Sequence, residues 1–175
     1  MKSRTMNMVA GLLLMAALVL PGTSSWTPAL AATVQQQSQD QERSESQGKK
    51  LEGTWRVQVT IRDCQSGAAL RTFPAFLTFA QGGTLTETTT GFPPAQRTPG
   101  HGVWSHIGGH TYSAVSEAFL FSPAGVWTGK QRLTQVIEIG HHADVLSSTA
   151  MNEIFDTNGH LILTGCATAV GNRFE

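Results

Sequence analysis

The chain is predicted to be all-β: an eight-stranded antiparallel up-and-down β-barrel over residues 51–175, with a two-sheet β-sandwich as the alternative. Three observations predict it. From Leu51 onward the hydrophobic period is two rather than 3.6, which sends successive side chains to opposite faces of a strand. Eight such runs are separated mostly by short turn-forming stretches, which favours consecutive hairpins over the crossed connections of a sandwich. A meander of this length can close on itself and so remove its exposed edges.

The first third of the chain is not fold material. Lys2 and Arg4 precede an apolar run from Met8 to Leu20, Pro21 and Gly22 break it, and Ala29-Leu30-Ala31 supplies small residues at a cleavage-site spacing. Residues 1–31 therefore read as a secretory signal peptide. The apolar run is shorter than the roughly 20 residues a membrane-spanning helix needs, so no stable membrane insertion is expected after cleavage. Residues 32–50, rich in Gln, Ser and Glu, have almost nothing apolar to bury against the entropy of ordering. They are expected to form a disordered polar linker.

The first strand runs from Gly53-Thr54-Trp55 to Cys64, with Trp55, Val57, Val59 and Ile61 alternating with Arg56, Gln58, Thr60 and Arg62. Gln65-Ser66-Gly67 turns the chain into Thr72–Ala80, where Pro74 marks an edge, a bulge or a strand start. Gln81-Gly82-Gly83 is a hairpin signal leading into the Thr-rich Thr84–Thr90. Pro93, Pro94 and Pro99 make Gly91–Gly100 a loop. The remaining strands are Gly102–Ile107, His110–Phe121, Val126–Gly140, Val145–Phe155 and His160–Val170. Gly108-Gly109, Ser122–Gly125, His141–Asp144 and Asp156-Thr157-Asn158-Gly159 separate them. The last is the clearest hairpin turn, because Asn and Gly accept positive φ.

Charge excludes one class of partner. Lys2 and Arg4 leave with the signal peptide and no acidic residue does, so twelve basic against twelve acidic becomes ten against twelve, a net charge of −2. That is not the electrostatic footprint of a nucleic-acid binder. Both cysteines, Cys64 and Cys166, fall in the mature part, and export to a secreted or periplasmic destination would let them pair as a disulfide.

Gly53-Thr54-Trp55 at the start of the first of eight strands resembles the motif of the lipocalins and the wider calycin group. The resemblance implies a small-molecule-binding barrel. It also implies that a basic residue just after the last strand, here Arg173, packs across Trp55 and closes the base. The chain departs from the family in ending too soon for a C-terminal helix and in lacking a clear second motif. Setting Cys64 opposite Cys166 puts Val57 opposite Arg173 and makes Arg173 a diagonal neighbour of Trp55. The small residues Ala167, Ala169 and Gly171 then face inward.

No catalytic motif is present. There is no Gly-x-Ser-x-Gly element or phosphate loop, and Glu87, Glu117, Glu138 and Glu153 sit in different strands. His101, His106, His110, His141, His142 and His160 match no metal-ligand spacing, so neither a metal nor a cofactor is expected. The expected ligand-binding residues are Phe73, Phe79, Trp104, Tyr112, Glu117, Phe119 and Trp127; Glu117 shares parity with Val115 and Phe119 and is therefore expected inward, near Arg132 or Tyr112. They suit a small, mostly apolar ligand. The loop Gly91–Gly100, carrying Phe92 and Arg97, is expected to overhang an open end as a lid. Two alternatives remain: a calycin-like enzyme of cyclase or isomerase type, and a side-chain-filled barrel acting as an interaction module.

Overall fold

Each strand hydrogen-bonds to the next in chain order, and the eighth returns to the first, so the sheet is a closed barrel and not a sandwich. The structure is a computed structural model and describes residues 50–174. The expected signal peptide, and the linker apart from its last residue, lie outside the described residues. The strands are β1 (Gly53–Arg62), β2 (Ala69–Ala80), β3 (Thr84–Thr89), β4 (Gly100–Gly108), β5 (Thr111–Phe121), β6 (Trp127–Ile139), β7 (Val145–Phe155) and β8 (Leu161–Arg173). All neighbouring pairs are antiparallel. Among the described residues no helix is long and apolar enough to cross a membrane.

Pro74 lies inside β2, where β3 leaves the ladder. Its carbonyl accepts from the Thr90 N–H at 3.1 Å, just past the last β2–β3 pair, Ala75 with Thr89. The residue without an N–H therefore sits where a ladder bond is no longer needed.

One end of the barrel is solid. Trp55, Leu51, Phe79, Leu85, Tyr112, Ile137 and Leu146 are buried there, each at most 2% exposed. A buried side chain of Trp size removes roughly 150–250 Å² from water, worth about 4–6 kcal/mol at about 25 cal/mol per Å². Trp55 donates its indole N–H to the Leu51 carbonyl at 2.9 Å, so its polar tip is satisfied. The Arg173 guanidinium lies 4.4 Å from the Trp55 ring centroid. It donates to the carbonyls of Lys50, Glu52 and Ala143 at 2.7, 2.5 and 3.0 Å, tying the segment before β1 and the β6–β7 turn to the end of β8 at the base. Gly53 makes room for this: its φ is +117°, and a Cβ there would sit 2.7 Å from Arg173 Nη1.

The β1–β8 register differs from the sequence expectation by two residues. Arg173 stands directly opposite Trp55, and Cys166 stands opposite Arg62, not Cys64. The parity is unchanged, so Ala167, Ala169 and Gly171 do face inward, against Ile61, Val59 and Val57. The shift arises because Cys64 lies beyond the end of β1, in the turn to β2. That turn is organised by Asp63, whose Oδ1 accepts from the N–H groups of Ser66 and Gln65 at 2.7 and 3.1 Å. From the turn, Cys64 reaches diagonally to Cys166. The disulfide forms with a Cα–Cα distance of 5.2 Å and bridges 102 positions of sequence on the outer wall.

Candidate functional site

At the other end the interior is not filled. A cavity of about 260 Å³ lies between β1, β2, β7 and β8 on one side and the β3–β4 loop on the other. Its apolar wall comes from inward positions of the strands: Val59, Ile61, Phe73, Leu77, Leu133 and Ile154. Small residues at Ala75, Ala150 and Ala167 leave the space that larger ones would occupy. Depressions on the outer wall, such as that beside Arg62, Met151 and the disulfide, lie open to solvent.

The loop that links β3 to β4 forms the remaining wall. Pro93 and Pro94 set φ for a single 3-10 turn, Pro94–Gln96, closed by the Gln96 N–H on the Pro93 carbonyl at 2.9 Å. Thr98 pins the loop to the end of β5, donating its N–H to the Phe119 carbonyl at 3.1 Å and accepting from the Phe119 N–H at 3.0 Å. This turns Phe92 and Arg97 into the cavity. The Phe92 ring lies 6.0 Å from the Arg97 guanidinium.

Arg97 organises the polar part of the site. Its side chain is 4% exposed and the Glu87 side chain 3%. Arg97 Nη2 donates to Glu87 Oε1, Nε to Gln131 Oε1 at 2.5 Å, and Nη1 to the Thr98 carbonyl at 3.0 Å. Gln131 Nε2 in turn donates to Asn152 Oδ1 at 2.6 Å. A chain of four polar side chains thus runs from β3 across the loop to β6 and β7. The wall behind it has to be bare. A Cβ on Gly100 would stand 2.0 Å from Glu87 Oε1, so glycine there is what allows the carboxylate to lie flat against β4. A buried ion pair needs this kind of additional hydrogen bonding to offset desolvation.

The expected binding residues divide into three groups. Phe73 lines the cavity, held under the Arg71 guanidinium at 4.8 Å. Arg71 also donates to the Gly91 carbonyl, fastening the loop at the mouth. Phe79, Trp104 and Tyr112 belong to the solid end. Their rings meet edge to face, at 6.2 Å for Phe79 with Trp104 and 6.0 Å for Trp104 with Tyr112. The Trp104 indole N–H is bonded to the carbonyls of Ala80 and Thr84. Burial pushes the Tyr112 phenol above its ordinary pKa. These three floor the interior and do not line the cavity.

Glu117, Phe119 and Trp127 stand on the outer wall, a correction to their expected inward placement. In β5 the inward residues are Tyr112, Ala114, Ser116, Ala118 and Leu120, so Val115, Glu117 and Phe119 take the other face. Glu117 does meet Arg132, at 3.4 Å, and Lys130, at 3.0 Å, but outside the barrel. Phe119 is 56% exposed and Trp127 47%. Trp127 opens β6 beside Gly129, whose φ of +143° accompanies a register shift in the β5–β6 ladder.

The sequence reading did not bring together Glu87, Arg97, Gln131 and Asn152. The available signal was parity: Glu87 shares a face with buried Leu85, and Gln131 with Leu133, Ile137 and Ile139. Two further inward hydroxyls, Ser116 and Ser148, are buried without a hydrogen-bond partner among the described residues. Among the described residues no three His, Cys, Asp or Glu side chains gather into a metal-ligating group. His106 instead contacts the Gly109 carbonyl through Nε2 at 3.0 Å. No protein-family model matches this chain, and no curated protein does.

Proposed function

We propose that the protein is an exported, lipocalin-like carrier that holds a small, mostly apolar molecule inside the barrel. The observation that carries this reading is the cavity at one end of a barrel whose other end is fully packed. A barrel of eight strands can be filled by its own side chains, and here Ala75, Ala150 and Ala167 stand where bulky residues would fill it. At about 260 Å³ it is slightly smaller than the roughly 300–1,000 Å³ of sites for drug-sized molecules. It suits a compact ligand, or one end of a longer molecule that leaves through the mouth.

Export is supported by the leader-like sequence at residues 1–31 and by the disulfide, which persists in an oxidising compartment. The Trp55–Arg173 closure is the feature that favours kinship with lipocalins and calycins. Ligand exchange then involves movement of the loop carrying Phe92 and Arg97, since that loop is the wall nearest the mouth.

Native mass spectrometry of the protein purified from its own host tests the reading. The expected result is a non-covalent adduct that is released on unfolding. A bare polypeptide mass, together with exclusion of apolar dyes, would overturn it.

A further inference from the structure

Resting on that cavity reading, we propose that the ligand is electrically neutral and carries one hydrogen-bonding oxygen, as a ketone or an alcohol does, which sits against Asn152. The polar wall is already charge-balanced, because Arg97 and Glu87 neutralise one another within it. Arg97 is also committed to Gln131 and to the Thr98 carbonyl. An anionic ligand would therefore find no uncompensated cation in the interior. It would instead approach Glu87, whose Oε1 is taken by Arg97 and whose Oε2 receives no donor from any described group. Bringing a second carboxylate into that space adds desolvation and like-charge repulsion with nothing to offset them.

A neutral oxygen meets the opposite situation. Asn152 accepts from Gln131 through Oδ1, which fixes the orientation of its amide and leaves its donor, Nδ2, for another acceptor. No described group accepts from Nδ2. The amide also faces the cavity from β7, between Ala150 and Ile154. Around it, Val59 and Ile61 of β1, Phe73 of β2 and Leu163 of the adjoining β8 offer only apolar contact. A ligand with an apolar body and a single acceptor can thus satisfy Asn152 while burying the rest of its surface. A hydroxyl can in addition donate to Glu87. Among the described residues that line the cavity, the one other charge is Arg71, at the mouth, stacked on Phe73 and bonded to Gly91. It is solvent-exposed, where its charge is screened.

The test is calorimetric titration of the full-chain protein with three probes of one chain length: 2-heptanone, heptane and heptanoate. The ketone should bind tighter than the alkane by on the order of tenfold, about the worth of one neutral hydrogen bond, and tighter than heptanoate. Asn152→Leu should erase the advantage of the ketone while retaining heptane. The ranking in the unaltered protein decides the matter even if that variant fails to fold. Equal binding of ketone and alkane would overturn the proposal and leave the cavity reading standing. Preferred binding of heptanoate, lost in Arg71→Gln, would overturn it by placing an anionic head at the mouth. Binding of none of the three would remove the cavity reading itself.

Discussion

Replacing Arg97 with Leu tests whether the loop is seated in the barrel. The substitution removes the guanidinium from a site where the arginine side chain is 4% exposed and its carboxylate partner 3%. Glu87 would then be buried without a counter-charge, against the Gly100 backbone, and Gln131 Oε1 would lose its donor at 2.5 Å. Breaking a buried ion pair from one side costs about 3–5 kcal/mol, a large share of the roughly 5–15 kcal/mol that holds a typical domain together. Replacing both members, Arg97→Leu with Glu87→Leu, removes the stranded charge. The double variant should therefore be no less stable than Arg97→Leu alone. Urea unfolding followed by tryptophan fluorescence reads both. A loss below about 1 kcal/mol for Arg97→Leu would match a surface ion pair, and would refute the argument that Glu87 and Arg97 share a dry site.

Three other outcomes follow from particular residues. Ser116→Ala and Ser148→Ala each remove a buried hydroxyl that has no partner among the described residues, so thermal unfolding should show unchanged or raised stability; a loss above about 1 kcal/mol would mean that the hydroxyl is hydrogen-bonded. The double change Cys64→Ser with Cys166→Ser opens a bridge spanning 102 positions and should cost about 2–5 kcal/mol in denaturant unfolding, whereas no loss would argue against the bond. Tyr112 is the single tyrosine in the chain, so ultraviolet titration reads it alone. Burial raises its folded pKa, which favours the neutral phenol: stability is intact below the unfolded value of about 10 and is lost as pH rises above it. Its midpoint should lie higher in the folded protein than in denaturant, and equal midpoints would contradict its burial.

Much of the architecture was legible in the sequence because period two survives wherever one face is buried. Val145–Phe155 is bounded as expected, and the other strands differ mainly at their ends. Trp55 and Arg173 were legible as a pair because a short motif at the first strand names one and a basic residue at the end of the last strand names the other. Face assignment failed in β5 for a physical reason. Val115 and Phe119 are apolar on the outer wall, while Ser116 is polar on the inner one, so hydropathy alone does not say which face is buried. The exact β1–β8 register was out of reach because a disulfide tolerates a diagonal pairing from a turn, and parity is the same for both registers. The site itself was least legible. Glu87 and Arg97 are ten residues apart, one in a Thr-rich strand and one in a Pro-rich loop, and their other partners Gln131 and Asn152 come from the two strands of a distant hairpin, β6–β7. Only the fold brings them together. That Gly91–Gly100 would interrupt the ladder as a loop was foreseeable from its prolines; that it sends Phe92 and Arg97 into the cavity wall is seen only in the fold.

The central claim is that the barrel interior receives a small apolar molecule. Titration of an apolar fluorescent dye into the full-chain protein, beside a variant with the cavity filled by Ala150→Trp, tests it most directly. Ala150 faces inward from β7 and lines the cavity, so the indole would take up its space. The account predicts saturable dye binding in the unaltered protein, with loss of that binding in a variant that still folds. Equal binding by both proteins would place the dye on the outer wall and contradict the claim, as would no binding by either.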